Sequence, residues 1–522
     1  MAVLSKRKYY QDWIVIVDLG SPYTQLIARR IRELKVYAKI LQSSFKIDEF
    51  KSNPPKGIIL SGSDCSSISR IITFLEQEVF SFRVPVLGID CGIYLLAKMK
   101  GDKIKKSKIV DFENTVITIL QKDYNSLFYK LPDKIKTWMN KKYTVKEIDP
   151  EFKITAVDKE NNIIAVYNED KHLYGLQFHP EVSHTEYGKD ILFNFVRRIC
   201  HCSPEWTNTF FIKNTIDKIK KSVGNGKVVA GVSGGIDSLV AALLTYKAIG
   251  DQLHCIFINT GLMRKNEEEE IKRIFNKFFN LNLNIYDYKE VFVKSLERIV
   301  DPEEKRKIVG NLFINIFEEK AKKIGGVTHL LQGTLYSDVI ESTPGSGLTA
   351  KIKSHHNVGG LPEKMNLKLL EPLKDLFKDE VRRVGRSMGL PDRVIWRQPF
   401  PGPGLAIRIV GEVTEEKLSI LREADEIIRR EIDKEGWNKK LWQYFGVLLP
   451  VKSVGVTAGL RTYDNTLVLR MVSSDDGMTA EWANVPYEIL ADLSNRIIEK
   501  VQGINRVLYD ISSKPPATIE WE

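Results

Sequence analysis

Val228-Val-Ala-Gly-Val232, Ser233-Gly-Gly-Ile-Asp-Ser238 and an apolar stretch with helical spacing from about Ile236 to Ile249 decide how this 522-residue chain is read. A continuous apolar run ending in a turn predicts a strand buried on both faces of a parallel sheet. Where such a strand passes into a helix, free backbone N–H groups and the helix dipole favour an anion. Gly234 and Gly235 let the main chain approach phosphate oxygens with no Cβ in the way. Ser233 and Ser238 add hydroxyl donors, while Ile236 and Leu239 begin the helix. Asp237 would repel a phosphate directly, so its expected task is to help hold a magnesium ion that neutralises it. The loop lacks the GxxxxGK[ST] pattern of a Walker A motif. A tight turn with no ligand is the competing reading.

The pattern extends outward in both directions. Leu253-His-Cys-Ile-Phe-Ile258 and His329-Leu-Leu-Gln332 read as further strands, and Asn266 as the cap of an acidic helix start. Upstream, Trp13–Leu19, Gly57–Leu60, Val84–Ile89 and Tyr174–Phe178 alternate with helical stretches, such as the one carrying Leu26, Ile27, Ile31 and Leu34. Alternation of this kind predicts an α/β fold with parallel sheets and its chemistry at strand ends. The pattern breaks at Cys200-His-Cys-Ser-Pro204 and again at Gln398-Pro-Phe-Pro-Gly-Pro-Gly404, beyond which strands and helices mix. Three domains are expected, over residues 1–203, 204–396 and 397–522.

Composition narrows the function classes. With 43% hydrophobic and 28% charged residues the chain is neither disordered nor fibrous. The net charge of +11 is spread out, which suits an anionic small ligand better than nucleic acid. Its densest basic cluster, Lys98 to Lys108, reads as a solvated connector. The cysteines, Cys65, Cys91, Cys200, Cys202 and Cys255, are too few and scattered for a disulfide framework and form no CxxC pair. No apolar run is long enough for a membrane span. A reducing, aqueous compartment follows, so a cytoplasmic location is expected.

The Ser233–Ser238 loop resembles that of the ATP pyrophosphatase (PP-loop) superfamily. Asn259-Thr-Gly-Leu-Met-Arg264, Gln332-Gly-Thr-Leu-Tyr-Ser-Asp-Val-Ile-Glu341, Lys353-Ser-His-His-Asn-Val-Gly-Gly360, Phe400-Pro-Gly-Pro-Gly404 and Lys514-Pro-Pro-Ala-Thr-Ile-Glu-Trp-Glu522 resemble the GMP synthetase family in order and spacing. The resemblance covers essentially the whole chain. It implies an N-terminal class I glutamine amidotransferase domain, an ATP pyrophosphatase domain, and a C-terminal α+β domain that binds XMP and forms a homodimer. It implies ATP-dependent amination of XMP to GMP through an adenyl-XMP intermediate, with release of AMP and pyrophosphate. The phosphate loop from Ser233 to Leu239 would bind ATP with Mg2+. Arg264, Lys514, Ile519 and Glu520 would meet XMP, and Lys353 would approach a phosphate. Alone, the terminal residues would read as a frayed end, the His355-His356 pair as loop polars, and Phe400–Leu405 as a rigid turn shaping a pocket.

The family's glutaminase carries a cysteine nucleophile in a pattern close to G-I-C-Y-G-M-Q. Here the segment reads Gly88-Ile-Asp-Cys-Gly-Ile-Tyr94, which puts Asp90 at the nucleophile position and Cys91 one step later. The resemblance assigns His179 and Glu181 as the other triad members. A carboxylate is a far weaker nucleophile toward an amide, and its charge opposes the oxyanion that must form. One step in register would aim the Cys91 sulfur away from the base, so Cys91 reads as a small buried thiol. The family's SGGP loop here is Ser61-Gly-Ser-Asp64, its SHGD segment is Asn140-Lys-Lys-Tyr143, and its turn Gln is Tyr94. These departures surround one pocket and point to a retained but silent domain, with ammonia as the direct donor. Three alternatives stay open: an ordinary glutamine-hydrolysing enzyme working through Cys91, a PP-loop enzyme acting on tRNA, and a non-catalytic interaction protein.

Overall fold

Trp13–Leu19 forms the predicted strand, and its first five residues are all buried. The computed structural model describes residues 12–42, 50, 53–62, 79–98, 104–106, 112–140, 143–278, 283–342, 367–457, 459–474 and 479–522. The chain divides into two compact units, with the boundary between Asn214 and Thr215. That boundary lies inside a helix, Asn208–Val223, in the region where the sequence pattern breaks.

In the first unit, strands Tyr37–Gln42, Trp13–Leu19, Gly57–Gly62, Val86–Asp90 and Leu173–Leu176 lie side by side and parallel. The sheet continues antiparallel through Ile163–Asn168, Lys153–Asp158, Phe112–Ile119 and Lys134–Asn140. The parallel half is apolar on both faces because helices cover it, as expected of βαβ connections. The basic Lys98–Lys108 segment is more than a connector. Within it Ile104–Lys106 pairs with Tyr143–Val145, a short strand that three alternating residues are too few to announce.

The second unit holds a fully parallel sheet in the order Asn284–Asp287, Leu253–Asn259, Lys227–Gly231, Val327–Leu331, Lys368–Leu370. The chain starts in the middle, builds outward to one side, then crosses to the other. Lys227–Gly231 is therefore the point where strand order reverses, and ligands in open α/β sheets bind outside the C-terminal ends of strands at that point. Asn266 stands directly before the helix Glu267–Phe278 at φ 58, and its carbonyl accepts from the Glu270 amide at 3.1 Å, the first bond of that helix. Asn tolerates that left-handed backbone because its short polar side chain costs little there. The C-terminal part is α+β. A long hairpin of Gln443–Thr457 and Leu460–Ser473 pairs with Ile504–Tyr509 and packs under helix Glu415–Lys434. One apolar core joins this part to the parallel sheet, running from Ile256, Leu262 and Phe292 to Leu405, Leu418 and Leu467.

Candidate active sites

In the second unit, the loop leaves Lys227–Gly231 and enters helix Ile236–Ile249 with Gly235 in the extended N-cap position. Gly234 has φ 74, open to glycine and strained for other residues. Ser238 Oγ donates to the Gly235 carbonyl at 2.9 Å and lies 3.5 Å from Ser233 Oγ, so both hydroxyls line one turn. The Gly235 amide points to Ser233 Oγ at 3.4 Å. Ile236 and Leu239 are buried, which leaves their main chain to meet an anion. A Cβ on Gly333, from the motif beginning at Gln332, would come within 3.3 Å of Asp237.

Sequence reading passed over the cations around this loop. Lys378 pairs with Asp237 Oδ2. Arg382, stacked 4.9 Å over Trp396, has its pKa lowered by burial against the opposing pull of Asp237. Arg397 donates to the Gly234 carbonyl at 3.0 Å and to Glu267 at 2.6 Å. Asp237 Oδ1 is buried with no hydrogen-bond partner among the described residues. One open carboxylate oxygen fits a magnesium ion that takes its remaining ligands from water and substrate phosphates. Among the described residues no group of three His, Cys, Asp or Glu could hold a metal by itself. Lys353, His355 and His356 lie outside the described residues.

Arg264 and the C-terminal tail meet at a second cluster in the same unit. The Arg264 guanidinium is buried, stacked 4.4 Å over Phe400, and 3.6 Å from Asp425. Burial pulls its pKa down to about 10, opposed chiefly by Asp425. Its Nε and Nη2, together with Arg408 Nη1 and Asp425 Oδ1, are buried polar atoms with no hydrogen-bond partner among the described residues. Buried donors left open in this way are costly unless something else satisfies them. Glu520 receives a two-pronged contact from Arg408, at 2.9 and 3.1 Å, and a third bond from Gln443 at 2.8 Å. Ile519 packs against Phe445, Val447 and Val468. Lys514 is held through its main chain, paired with Ala480.

The tail is anchored rather than frayed. Fully buried Arg470 donates to the carbonyls of Ser512, Thr518 and Ile519 at 2.6, 2.9 and 3.3 Å. Buried Lys305 reaches the carbonyls of Ala406 and Ile409 and the carboxylate of Glu522. Phe400–Leu405 forms a tight turn in which a Cβ on Gly404, at φ 64, would strike the Leu262 carbonyl at 2.2 Å.

In the first unit, Asp90 ends strand Val86–Asp90 at φ 52, and Cys91 opens helix Cys91–Lys98. A non-glycine residue in that backbone region is strained and marks functional turns. Gly88 and Gly92 permit the bend, since a Cβ on Gly88 would lie 2.5 Å from the Gly92 carbonyl carbon. His179 follows the neighbouring strand Leu173–Leu176, so the two turns open at the same sheet edge. His179 Nδ1 lies 2.7 Å from Glu181 Oε1, and Nε2 lies 3.6 Å from Asp90 Oδ2. The ring meets Tyr23 edge-on at 4.8 Å. Burial alone would lower the His179 pKa, but the two carboxylates outweigh it and raise it to about 10. The imidazole thus sits between two carboxylates, both of which pull its pKa upward.

Cys91 is buried with its Cβ toward Gly62, where an added Cβ would lie 3.0 Å away. Its sulfur is taken up in a disulfide, which corrects the free thiol expected from the sequence. Disulfide pairing follows from Cα and Cβ positions that spacing along the chain does not reveal. Ser61 Oγ is bonded to Thr24 Oγ1 at 2.9 Å. Ser63, Asp64, Cys65, Lys141 and Lys142 fall outside the described residues.

Comparison with known proteins places three family models along the chain. Residues 15–199 match class-I glutamine amidotransferase, 209–315 match NAD synthase, and 430–521 match the GMP synthase C-terminal domain. A protein from Caldanaerobacter subterraneus subsp. tengcongensis named as glutamine-hydrolyzing GMP synthase is 49% identical over 98% of this chain and 99% of its own length. Proteins of the same name from Clostridium tetani and Aquifex aeolicus are 47% and 48% identical over 98% of this chain, covering 100% and 99% of their own lengths. Amidotransferase, PP-loop and GMP synthase C-terminal domains thus follow one another on mixed α/β architecture, and the chain belongs to the GMP synthase family, carbon–nitrogen bond-forming ligases of GMP biosynthesis.

Proposed function

We propose that this enzyme aminates XMP with free ammonia, using ATP, and that its amidotransferase domain does not hydrolyse glutamine. The observation that carries this is Asp90 at the left-handed nucleophile turn, with its carboxylate 3.6 Å from His179 Nε2. A carboxylate at that turn is a poor nucleophile toward an amide, and its charge pulls the neighbouring imidazole pKa upward, which weakens His179 as a general base. The name of the relatives says they hydrolyse glutamine; this chain lacks the nucleophile for it.

In the synthetase half, the cations Lys378 and Arg382 and the main chain of Ser233–Leu239 suit the β and γ phosphates of ATP. The carbonyl oxygen at C2 of XMP attacks the α phosphorus, the bond to the β phosphate breaks, and pyrophosphate departs into the loop. Ammonia then attacks C2, and AMP leaves carrying the former carbonyl oxygen. When bound, magnesium would neutralise phosphate charge, with Asp237 Oδ1 as its protein ligand. The open donors of Arg264 and Arg408 suit an anionic purine nucleotide, with Ile519 and Glu520 positioned by the anchored tail. Lys514 and Lys353 belong to the same assignment by family resemblance.

The domains are taken as 1–203, 204–396 and 397–522. Exposed Val454, Val456, Leu460 and Tyr463 near the hairpin end suit a homodimer through the C-terminal domain. Among the described residues no helix is long and apolar enough to cross a membrane, and the cytoplasm is the proposed location. The test supplies purified protein with XMP, ATP and either glutamine or ammonium as sole nitrogen source. GMP with AMP should form from ammonium alone, and equal rates from ordinary glutamine concentrations would sink the silent-domain reading.

A further inference from the structure

We propose that Arg397 is the positioning residue that couples the phosphate loop to the purine-nucleotide cluster, a role that rests on the synthetase reading above. Arg397 spans the two sites with one guanidinium. Its Nη1 donates to the Gly234 carbonyl at 3.0 Å, and its Nη2 donates to Glu267 Oε1 at 2.6 Å and faces Glu270 at 3.6 Å. Glu267 is buried, and its second oxygen accepts from the Arg264 main-chain amide at 3.3 Å. From Arg264 the chain of contacts continues through Asp425 to Arg408 and Glu520.

The contact at Gly234 carries the mechanism. The Gly234 carbonyl and the Gly235 N–H belong to one planar trans peptide and point in opposite directions. Fixing the carbonyl outward on Arg397 aims the Gly235 N–H inward, where it now meets Ser233 Oγ at 3.4 Å. With φ 74 at Gly234, no side chain opposes rotation of that peptide, so an external partner must set it. A Cβ at Gly234 would lie 2.7 Å from Arg397 Nη1, so the glycine also makes room for the guanidinium. The same guanidinium holds the carboxylate that fixes the Arg264 backbone. One planar group thus sets the orientation of a phosphate donor and of a nucleotide-binding loop. Lysine cannot reproduce this, because its ammonium has no planar fork to hold two acceptors in fixed directions.

Exchange of labelled pyrophosphate into ATP, dependent on XMP, tests the role in the full-length protein. Wild type that shows no such exchange would overturn the synthetase reading itself. With exchange present, Arg397→Gln should raise KM for both ATP and XMP by roughly 10-fold each, the loss expected from one charge-assisted hydrogen bond on either side. Ser238→Ala should raise KM for ATP alone, and Arg397→Lys should restore neither KM. If Arg397→Gln does not fold, Glu267→Gln, which keeps the shape, should raise both constants by a smaller factor. A change confined to one substrate, or a lower kcat with both KM values unchanged, overturns the coupling.

Discussion

Asp90 and Gly234 both stand in left-handed backbone where a parallel strand turns into a helix, at φ 52 and 74. The surroundings differ. Gly234 has no Cβ to strain and lies among Arg397, Arg382 and Lys378, a setting for an anion. Asp90 bears a Cβ and a carboxylate in the same backbone region, and that carboxylate lies 3.6 Å from His179 Nε2. The same kind of strand-to-helix turn can therefore carry a glycine or an aspartate. Turn geometry is set by packing, here by the close approach of Gly88 and Gly92, and packing is indifferent to whether the turn bears sulfur or carboxylate.

The sharpest break of this comparison is Gly234→Ala. Its Cβ would meet Arg397 Nη1 at 2.7 Å and Ile271 Cδ1 at 2.8 Å from a backbone that L-residues resist. XMP-dependent pyrophosphate exchange should fall on the order of 100-fold, reflecting strain plus a displaced phosphate donor; near-normal exchange would show that the loop does not need this glycine.

Asp90→Asn tests the other turn. The folded pKa of His179, about 10, lies above its ordinary value of 6.5. The stabilisation is therefore complete below pH 6.5 and is lost as pH rises through about 10. Removing the Asp90 charge should lower the His179 pKa and lessen stability at pH 8 by on the order of 1 kcal/mol. NMR titration of the imidazole with thermal melts across pH checks this, and a wild-type His179 titrating near its ordinary value refutes it. The smallest effect belongs to Cys91→Ala, which should leave ammonium-supported GMP synthesis within roughly twofold because Cys91 belongs to the first unit and the phosphate loop to the second. A large loss there would mean the amidotransferase turn supports the synthetase.

Local signals made much of this molecule legible. The apolar runs at Trp13 and Val228 announced buried strands, paired glycines marked the phosphate turn, and Asp90 in place of a cysteine showed in the motif itself. The tail was the hardest stretch to judge, since IEWE carries no local reason to be ordered; its order comes from Arg470, Arg408 and Lys305.

By itself the sequence determined the α/β class, the glycine-bearing turn after Val228–Val232 and the aspartate at position 90, because backbone preferences and motif chemistry act over a few neighbouring residues. Only the tertiary structure decided that Arg397 would reach Gly234 across 163 positions, that Arg408 would meet Glu520 across 112, and that His179 would lie between Asp90 and Glu181. Those outcomes depend on burial and on partners brought together by folding, and neither quantity is written in any short window of the chain.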